Sequence, residues 1–363
     1  MQKNNPNPEG LTLISTVEEA ANTKSFFFRH PATGKIRFKP GQFINIGVQI
    51  DGKPHYRSYS ISSLPEDELM QLTIKRVEGG LVSNWMIDQL KVGESVSMHG
   101  VAGAFNIIDQ PPAEHVVFIS AGCGVTPVMS MAKYILSHKE TGVKSIQFIH
   151  CARDRENIIY QDEILSLEKD HPDFHAFFYL SAATEDQVAS PYRAGRLNGA
   201  FLHSHLKDIV NNSSVYLCGP MEFMDMVKEG LMEIHFDLAC LFHEDFTFNC
   251  EVLPGLAAFS VQETVENGHG GNTYKVTAPD FDFDGEAQEG EILLDVLQNG
   301  GVPIIGACRV GLCGACKCRV KSGDVKLTTD PVASGILTQA DREEGYTLAC
   351  VSLVIDDVQI SLK

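Results

Sequence analysis

Hydrophobic residues follow two different patterns along the chain, and the change occurs near His115. Before that position, short stretches such as "RSYSISS" and "LMQLTIKRV" have the alternation that predicts separate strands. After it, apolar runs such as "HVVFIS" are each followed by an amphipathic segment. This second pattern predicts strands alternating with helices, and Pro127 is expected at the first position of the helix after "GCGVTP".

The strand-helix alternation continues through "SIQFIHC", "FHAFFYLS" and "SVYLCGP". Helices are expected at about residues 161–169, from about Asn198 and after "CGP". Such a series predicts a doubly wound parallel sheet, which binds ligands at the carboxyl ends of its strands. The glycine-containing turns "GCGVTP" and "CGPMEFM" both lie at such ends, although each alone is a weak signal.

Composition and charge restrict the classes of function. A chain of 363 residues with 44% hydrophobic and 21% charged residues predicts two or three globular domains. Its net charge of −18 argues against nucleic acids and anionic membranes as main partners. The polar amino terminus has no apolar signal region, and the apolar runs are too short to span a bilayer, so a cytoplasmic location is expected. Thiols stay reduced there, and clustered cysteines then indicate metal binding or catalysis.

Four cysteines have the spacing of a plant-type 2Fe-2S site. Cys308, Cys313 and Cys316 follow the C-x4-C-x2-C rule, and Cys350 comes later in "YTLACVSLV". A structural zinc site is the alternative, but such sites usually have two matched cysteine pairs and this chain has one. Cys318 is interpreted as a small side chain in the strand predicted at "KCRVKSGDV", because the other four complete the ligand set.

The segment from about residue 274 to 363 contains "EILLDVLQNGGVPIIGACRVGLCGACKCRVKSG" and "EGYTLACVS". It resembles a plant-type 2Fe-2S ferredoxin domain. That resemblance implies a β-grasp fold for about the last quarter of the chain.

The stretch "RSYSISS" has the chemistry to bind a flavin dinucleotide. The Tyr59 ring can stack on the isoalloxazine, and the hydroxyls of Ser60 and Ser62 can bond to ring nitrogens. Arg57 can pair with the pyrophosphate in a bidentate way. The helix that carries Trp85 would offer its first amides to the same phosphates, namely those of Gly80, Leu81, Val82 and Ser83. An edge strand with a serine-rich turn is the alternative interpretation.

The order of these motifs resembles the ferredoxin-NADP reductase superfamily. R-x-Y-S-x-S followed by G-x-x-S is similar to its FAD domain, a six-stranded antiparallel barrel, and "KPGQFINI" fits the strand before the motif. The two glycine turns together resemble its NAD(P) domain. The resemblance implies that Gly122, Gly124 and Thr126 face the dinucleotide, and that Cys218 and Gly219 lie near the nicotinamide.

The segment "FHEDF" stands at the end of this region. By the same resemblance, Glu244 and Phe246 are expected close to the flavin ring. A solvated acidic turn that closes the domain is the alternative. The residues expected at the reacting centre are therefore Tyr59, Ser60, Cys218 and Glu244.

Four segments are expected in the chain. Residues 1–110 form the FAD-binding barrel, 111–246 the NAD(P)-binding domain, 247–272 a linker and 273–363 the ferredoxin domain. Together they predict an NADH-dependent oxidoreductase in which hydride passes from NADH to FAD, and single electrons then pass through the 2Fe-2S cluster to a protein acceptor. NADH is favoured over NADPH because acidic residues in "LSAATEDQ" follow the third strand of the domain, while Arg193 and Arg196 leave NADPH open.

A narrower resemblance concerns "AGCGVTPVMSM", "CGPMEFMD", "YRAGRLN" and "GACRVGLCGACK". These look most like NADH-dependent reductases of hybrid-cluster protein, which implies that protein as the electron acceptor. Two alternatives remain at this point. One is the reductase of a multicomponent oxygenase such as phenylacetyl-CoA epoxidase, and the other is an iron-sulfur sensor without turnover.

Overall fold

The computed structural model describes residues 10–30, 35–206, 209, 212–245, 272–302, 304, 306, 311, 314–332 and 336–362. The barrel and the parallel α/β sheet belong to one compact unit, and the third sheet belongs to a second. Among the described residues, no helix has the length and apolar character needed to span a membrane. The linker expected at 247–272 lies outside the described residues except for Asn272, and the domain boundaries stay predictions.

An antiparallel sheet forms the first domain. Its elements are β1 (Gly10–Ala20), β2 (Thr23–Arg29), β3 (Phe43–Ile50), β4 (Lys53–Ser60), β5 (Met70–Lys75), α1 (Leu81–Asp88) and β6 (Ser95–Ala102). The strand order is β4-β3-β6-β1-β2-β5. A bridge between Ile61 and Leu72 joins the end of β4 to β5, so the sheet closes on itself as the predicted barrel. Leu11, Phe26 and Ile44 are among the apolar side chains that fill it.

A six-stranded parallel sheet with helices forms the second domain. Its elements are β7 (His115–Ala121), α2 (Val125–Ser137), β8 (Ser145–Ala152), α3 (Gln161–Asp170), β9 (Phe174–Leu180), β10 (Tyr192–Ala194), α4 (Gly199–Leu206), β11 (Ser213–Gly219), α5 (Met221–Glu233) and β12 (Leu241–Asp245). The strand order is β10-β9-β8-β7-β11-β12, so β8, β9 and β10 lie on one side of β7 and the later strands β11 and β12 lie on the other. Folds of this type bind ligands at this change of strand order, between β7 and β11. Alternate residues of β7 enter two different cores, as Phe118 and Ile119 show. Both faces of the sheet are therefore covered, which explains the continuous apolar runs.

The entry to α2 differs from the expectation. A 3-10 turn at Gly122–Gly124 comes first, and α2 begins at Val125. Pro127 is thus the third helical residue, and its prediction at the first position was wrong. The amides of the first helical turn have no partner within the helix, so a proline at the third position costs no hydrogen bond.

The C-terminal unit has a five-stranded sheet packed against a short helix. Its elements are β13 (Thr273–Ala278), β14 (Phe283–Gln288), α6 (Leu293–Asn299), β15 (Lys317–Ser322), β16 (Val325–Leu327), α7 (Gln339–Glu343), β17 (Tyr346–Leu348), β18 (Ser352–Val354) and β19 (Val358–Ser361). The order is β14-β13-β19-β15-β17, and β16 pairs with β18 separately. Helix α6 buries Leu293, Leu294 and Leu297 in the core of this unit. The three-part fold class predicted from the sequence is confirmed.

Candidate functional site

Strand β4 presents the predicted flavin residues on two faces. Arg57 and Tyr59 are partly exposed, whereas Ser58 and Ser60 are each 7% exposed, as the alternation of a strand requires. The Arg57 Nη1 donates a hydrogen bond of 2.8 Å to the carbonyl of Tyr56. Tyr59 packs against the barrel core. The barrel core therefore supports the Tyr59 side chain. The roles of Arg57, Tyr59 and Ser60 in flavin binding stay predictions.

Ser62 lies beyond the end of β4 and is fully buried. Its Oγ accepts a hydrogen bond of 2.8 Å from the hydroxyl of Tyr160, which belongs to the second domain. Its amide donates to the carbonyl of Gln71 on β5. The described contacts of Ser62 therefore join two domains, and its role in FAD binding stays a prediction.

The amino terminus of α1 has the chemistry to hold an anionic group. Gly80 is extended at the N-cap and provides no side-chain cap, so the helix itself satisfies none of the first amides. Ser83 is 5% exposed, and its Oγ has no hydrogen-bond partner among the described atoms. Buried polar atoms normally have partners. An orphaned hydroxyl beside open helix amides fits a dinucleotide phosphate, and the residues that would bind it are Leu81, Val82 and Ser83. The Gly80 amide donates to the carbonyl of Val77 at 3.0 Å, and its cofactor role stays a prediction.

The two glycine turns meet at the carboxyl ends of β7 and β11, which pair in parallel. A Cβ added to Gly124 would lie 2.1 Å from the carbonyl oxygen of Cys218, so only glycine allows this approach. A Cβ added to Gly219 would lie 3.2 Å from the Cβ of Ala121. The fold thus places both turns at the point where the strand order reverses, which is the expected dinucleotide position.

Three predicted nucleotide residues at these turns have distinct surroundings. Gly122 has a φ of 54°, which a side chain would disfavour. Thr126 is 3% exposed, and its hydroxyl donates to the carbonyl of Cys123 at 2.9 Å. Cys218 is fully buried. Thr126 therefore closes the turn, and the cofactor roles of all three residues stay predictions.

Glu244 lies on β12 directly beside Cys218 of β11. The residue as a whole is partly exposed, but its Oε2 is enclosed and has no hydrogen-bond partner among the described atoms. Burial raises the pKa of Glu244 to about 8. The alternative of a solvated acidic turn is wrong, because the segment is a strand with an enclosed carboxyl oxygen. Phe246, its predicted companion at the flavin, lies outside the described residues.

The raised pKa of Glu244 makes a prediction for stability against pH. A folded pKa above the unfolded one means that stability is lost as pH rises from about 4.5 towards 8. Between pH 5 and 8, the free energy of unfolding of Glu244→Gln should fall by at least about 1 kcal/mol less than that of the original protein. This difference corresponds to a few degrees in Tm. The measurement is Tm against pH for the FAD-loaded protein. Glu229→Gln, an exposed carboxylate on α5, is the matched control. Parallel pH profiles for all three proteins would contradict the prediction.

Two of the four predicted cluster ligands lie among the described residues. Cys316 and Cys350 are buried, and their Sγ atoms are 3.1 Å apart. The amide of Gly311 donates to the Cys350 Sγ at 3.2 Å. Gly311 has a φ of 81°, and a Cβ there would lie 3.0 Å from Val351. Paired buried sulfurs with an amide donor fit thiolate ligation of iron.

The remaining cysteines of the cluster region divide into two groups. Cys308 and Cys313 lie outside the described residues, so their ligand roles stay predictions. Cys318 is 1% exposed on β15 and packs within the apolar core of the C-terminal unit. That position agrees with its interpretation as a small core side chain.

Two buried polar side chains of the first unit were not predicted from the sequence. His150 on β8 is fully buried, its Nδ1 bonds to the Ser120 Oγ at 2.9 Å, and its Nε2 has no partner among the described atoms. Burial, followed by the charge of Lys75, lowers the pKa of His150 to about 3, so the ring is neutral. Tyr160 is 2% exposed at the start of α3. The apolar context of "SIQFIHC" could have indicated His150, whereas no local pattern marks Tyr160.

Family models match each of the three domains. The oxidoreductase FAD-binding domain matches residues 10–107, and the oxidoreductase NAD-binding domain matches residues 118–229. The 2Fe-2S iron-sulfur cluster binding domain matches residues 282–354. The cofactors predicted from the sequence, FAD, NADH and a 2Fe-2S cluster, are thereby confirmed as those of this chain's domains.

Similar proteins align with this chain over most of their length. The glycine betaine monooxygenase reductase subunit of Pseudomonas aeruginosa is 32% identical over 96% of this chain and 94% of its own. The stachydrine N-demethylase reductase subunit of Rhizobium meliloti is 30% identical, with 97% and 96% covered. The NADH oxidoreductase HCR of Escherichia coli is 27% identical, with 86% and 85% covered.

A solved structure shows the same fold. Phthalate dioxygenase reductase superposes with a TM-score of 0.57, covers 98% of this chain and 97% of its own, and is 20% identical. The relatives are reductases, so the alternative of a sensor without turnover has no support. With its three domains, the paired cysteines and the two meeting glycine turns, the chain belongs to the family of FAD- and 2Fe-2S-dependent NADH oxidoreductases that includes the glycine betaine monooxygenase reductase subunit.

Proposed function

We propose that this chain is the reductase component of a multicomponent oxygenase, and that the oxygenase acts on glycine betaine or another N-methylated compound. The observation that carries the proposal is the identity of the relatives. Reductase subunits of glycine betaine monooxygenase and of stachydrine N-demethylase are 30–32% identical over nearly the whole chain. The proposal replaces hybrid-cluster protein as the favoured acceptor.

Bound FAD and a 2Fe-2S cluster supply the conversion of a two-electron donor into single electrons. The protein's own residues bind and enclose these groups. Helix α1 would offer its amides and the Ser83 hydroxyl to phosphate, and Arg57 would supply a cation from strand β4. Buried Cys316 and Cys350 would hold the iron through two sulfurs in an apolar core, which would keep water from the metal.

The enclosed carboxyl group of Glu244 has a role in the same electron-transfer reaction. Its pKa of about 8 keeps most of the group protonated near neutral pH, so it can hold or donate a proton beside Cys218. A neutral carboxyl also adds no negative charge where NADH must donate a hydride. Glu244 would therefore bind and polarise the reacting groups, and hydride transfer needs no general base.

A comparison of two acceptor proteins, each in a separate reaction, tests the proposal. The reduced, FAD- and iron-loaded protein is mixed without oxygen with the oxygenase subunit of the P. aeruginosa glycine betaine monooxygenase, or with E. coli hybrid-cluster protein. We expect the oxygenase subunit to be reduced at least about tenfold faster, a difference of about 1.4 kcal/mol in the activation free energy. Faster reduction of hybrid-cluster protein would contradict the proposal.

Hybrid-cluster protein remains the second candidate acceptor. It is favoured by the similarity to the E. coli NADH oxidoreductase HCR, which covers 86% of this chain. Capture of the acceptor from anaerobically grown cells, followed by identification of the bound protein, separates the two candidates independently of the kinetic test.

A further inference from the structure

A network of buried hydroxyl groups joins the barrel to the parallel-sheet domain. The Tyr160 hydroxyl, just before α3, bonds to the Ser62 Oγ at 2.8 Å and makes a short hydrogen bond to the Thr73 Oγ1. Ser62 follows the strand that carries Arg57 and Tyr59, and Thr73 lies on β5. One side chain of the second domain therefore contacts two separate segments of the first.

The network continues inside the barrel. The Thr73 Oγ1 is 2.5 Å from the Ser25 Oγ, and the Gln71 Nε2 donates to that same Ser25 oxygen at 3.0 Å. Ser25, Gln71, Thr73 and Ser62 are all at most 5% exposed. Because these groups are buried, they depend on one another for most of their hydrogen bonds, and Ser25 also bonds to the partly exposed carboxyl group of Glu19.

A second hydrogen bond crosses the same boundary. The Ser130 Oγ on α2 donates to the carbonyl of Ser63 at 2.7 Å, and Ser130 is fully buried. Ser62 is thus bonded to Tyr160, which directly precedes α3, and Ser63 is bonded to Ser130 on α2. Apolar contacts resist separation but tolerate sliding, whereas hydrogen bonds require a narrow range of distances and angles. These two bonds, together with the one from the Ala21 amide to the Glu156 carbonyl at 2.7 Å, therefore fix the position of one domain on the other.

The backbone at Tyr160 supports a positional role. Its φ of 60° lies in the left-handed region, which is unfavourable for a large side chain. Such a conformation persists only where surrounding contacts hold it, and it occurs often at functional sites. Here the conformation turns the Tyr160 side chain towards the barrel at the point where α3 begins.

We propose that Tyr160 is a positioning residue for hydride transfer. Its hydroxyl holds the NAD-binding domain against the end of the flavin strand, and so sets the approach of NADH to FAD. The transfer moves two electrons and one proton as hydride from NADH, which leaves NAD+, to the flavin. Because the rate depends steeply on the distance and angle of approach, the bond acts on the hydride step more than on NADH binding.

The direct test is Tyr160→Phe, which keeps the ring and removes only the hydroxyl. In rapid mixing of NADH with the FAD-loaded protein, we expect the limiting rate of flavin reduction to fall about five- to thirtyfold. The NADH concentration for half-maximal rate should change less than about twofold, because binding is not the affected step. An unchanged limiting rate, or a change in that concentration alone, would overturn the proposal.

Ser213→Ala is the matched control. Ser213 is also buried, at 4% exposed, and its hydroxyl donates to the carbonyl of Ile209 at 2.5 Å. Both residues belong to the NAD-binding domain, at the amino end of β11, so this bond does not cross the boundary to the barrel. We expect a lower Tm in this variant but a limiting rate within about twofold of the original protein. An equal slowing in both variants would show that the effect is general destabilisation.

Thr73→Val provides a second variant and a measurement without turnover. It removes the other end of the short hydrogen bond, so the double variant with Tyr160→Phe should be less slowed than the product of the two single effects. In the protein without NADH, Tyr160→Phe should also increase hydrogen exchange at the Ser62 amide, which bonds to Gln71. Multiplicative rate effects with unchanged exchange would contradict the proposal.

Discussion

Cys350→Ser is expected to abolish the absorbance and spin-resonance signals of the 2Fe-2S cluster. Cys350 supplies one of two buried sulfurs 3.1 Å apart, and serine oxygen is a poor replacement for a thiolate on iron. Electron delivery to a protein acceptor should fall more than about a hundredfold, whereas NADH-dependent ferricyanide reduction should stay within about twofold, since a small dye takes electrons from the flavin. Iron content, FAD content and the two activities are the measurements. Cys313→Ser should behave in the same way.

Cys318→Ser is the matched control for this prediction. Cys318 is as buried as the two described ligands and lies two residues from Cys316, but the described sulfur pair is formed by Cys316 and Cys350. The variant should retain iron and acceptor reduction, with some loss of Tm from a hydroxyl placed in an apolar core. Loss of the cluster in Cys318→Ser but not in Cys350→Ser would reverse the assigned ligand set. Equal loss of ferricyanide and acceptor activity in Cys350→Ser would contradict the separate roles of flavin and cluster.

Arg57→Ala is expected to weaken FAD binding by about 1.5 to 3 kcal/mol, the usual contribution of a hydrogen bond to a charged group. This corresponds to roughly a ten- to hundredfold increase in Kd. The reason is that Arg57 is partly exposed on β4, where its guanidinium can pair with a phosphate in a bidentate way. Titration of the FAD-free protein with FAD, followed by tyrosine or flavin fluorescence, measures the effect.

Arg76→Ala separates this role from a general loss of charge. Arg76 belongs to the same barrel, but its guanidinium bonds to both carboxylate oxygens of Asp88, at 2.6 and 2.8 Å. Its removal should leave the Kd for FAD nearly unchanged, because exposed ion pairs contribute little. A normal Kd in Arg57→Ala would show that the pyrophosphate lies elsewhere.

Local sequence patterns were enough to predict most of the elements. The alternation in "RSYSISS" became β4, and the apolar run before "GCGVTP" became β7. These predictions succeed because side-chain periodicity and glycine positions are properties of a few neighbouring residues. The start of α2 was the exception, since the 3-10 turn at Gly122–Gly124 displaces the helix start towards Val125.

Long-range packing produced the features that the sequence did not show. Glu244 has an enclosed carboxyl oxygen only because β12 lies beside β11. Ser62 was expected at the flavin, but its hydroxyl bonds to Tyr160, which is far away along the chain. No local pattern encodes a partner in another domain.

By itself, the amino-acid sequence determined the three domains, their cofactors and the spacing of the cluster cysteines, because covalent spacing limits which groups a single loop can bring to one metal. Only the tertiary structure decided how close the turn at Gly124 comes to Cys218, and which hydroxyls hold the NAD-binding domain on the barrel. The physical reason is that burial and hydrogen-bond partners depend on residues that meet only when distant segments pack together.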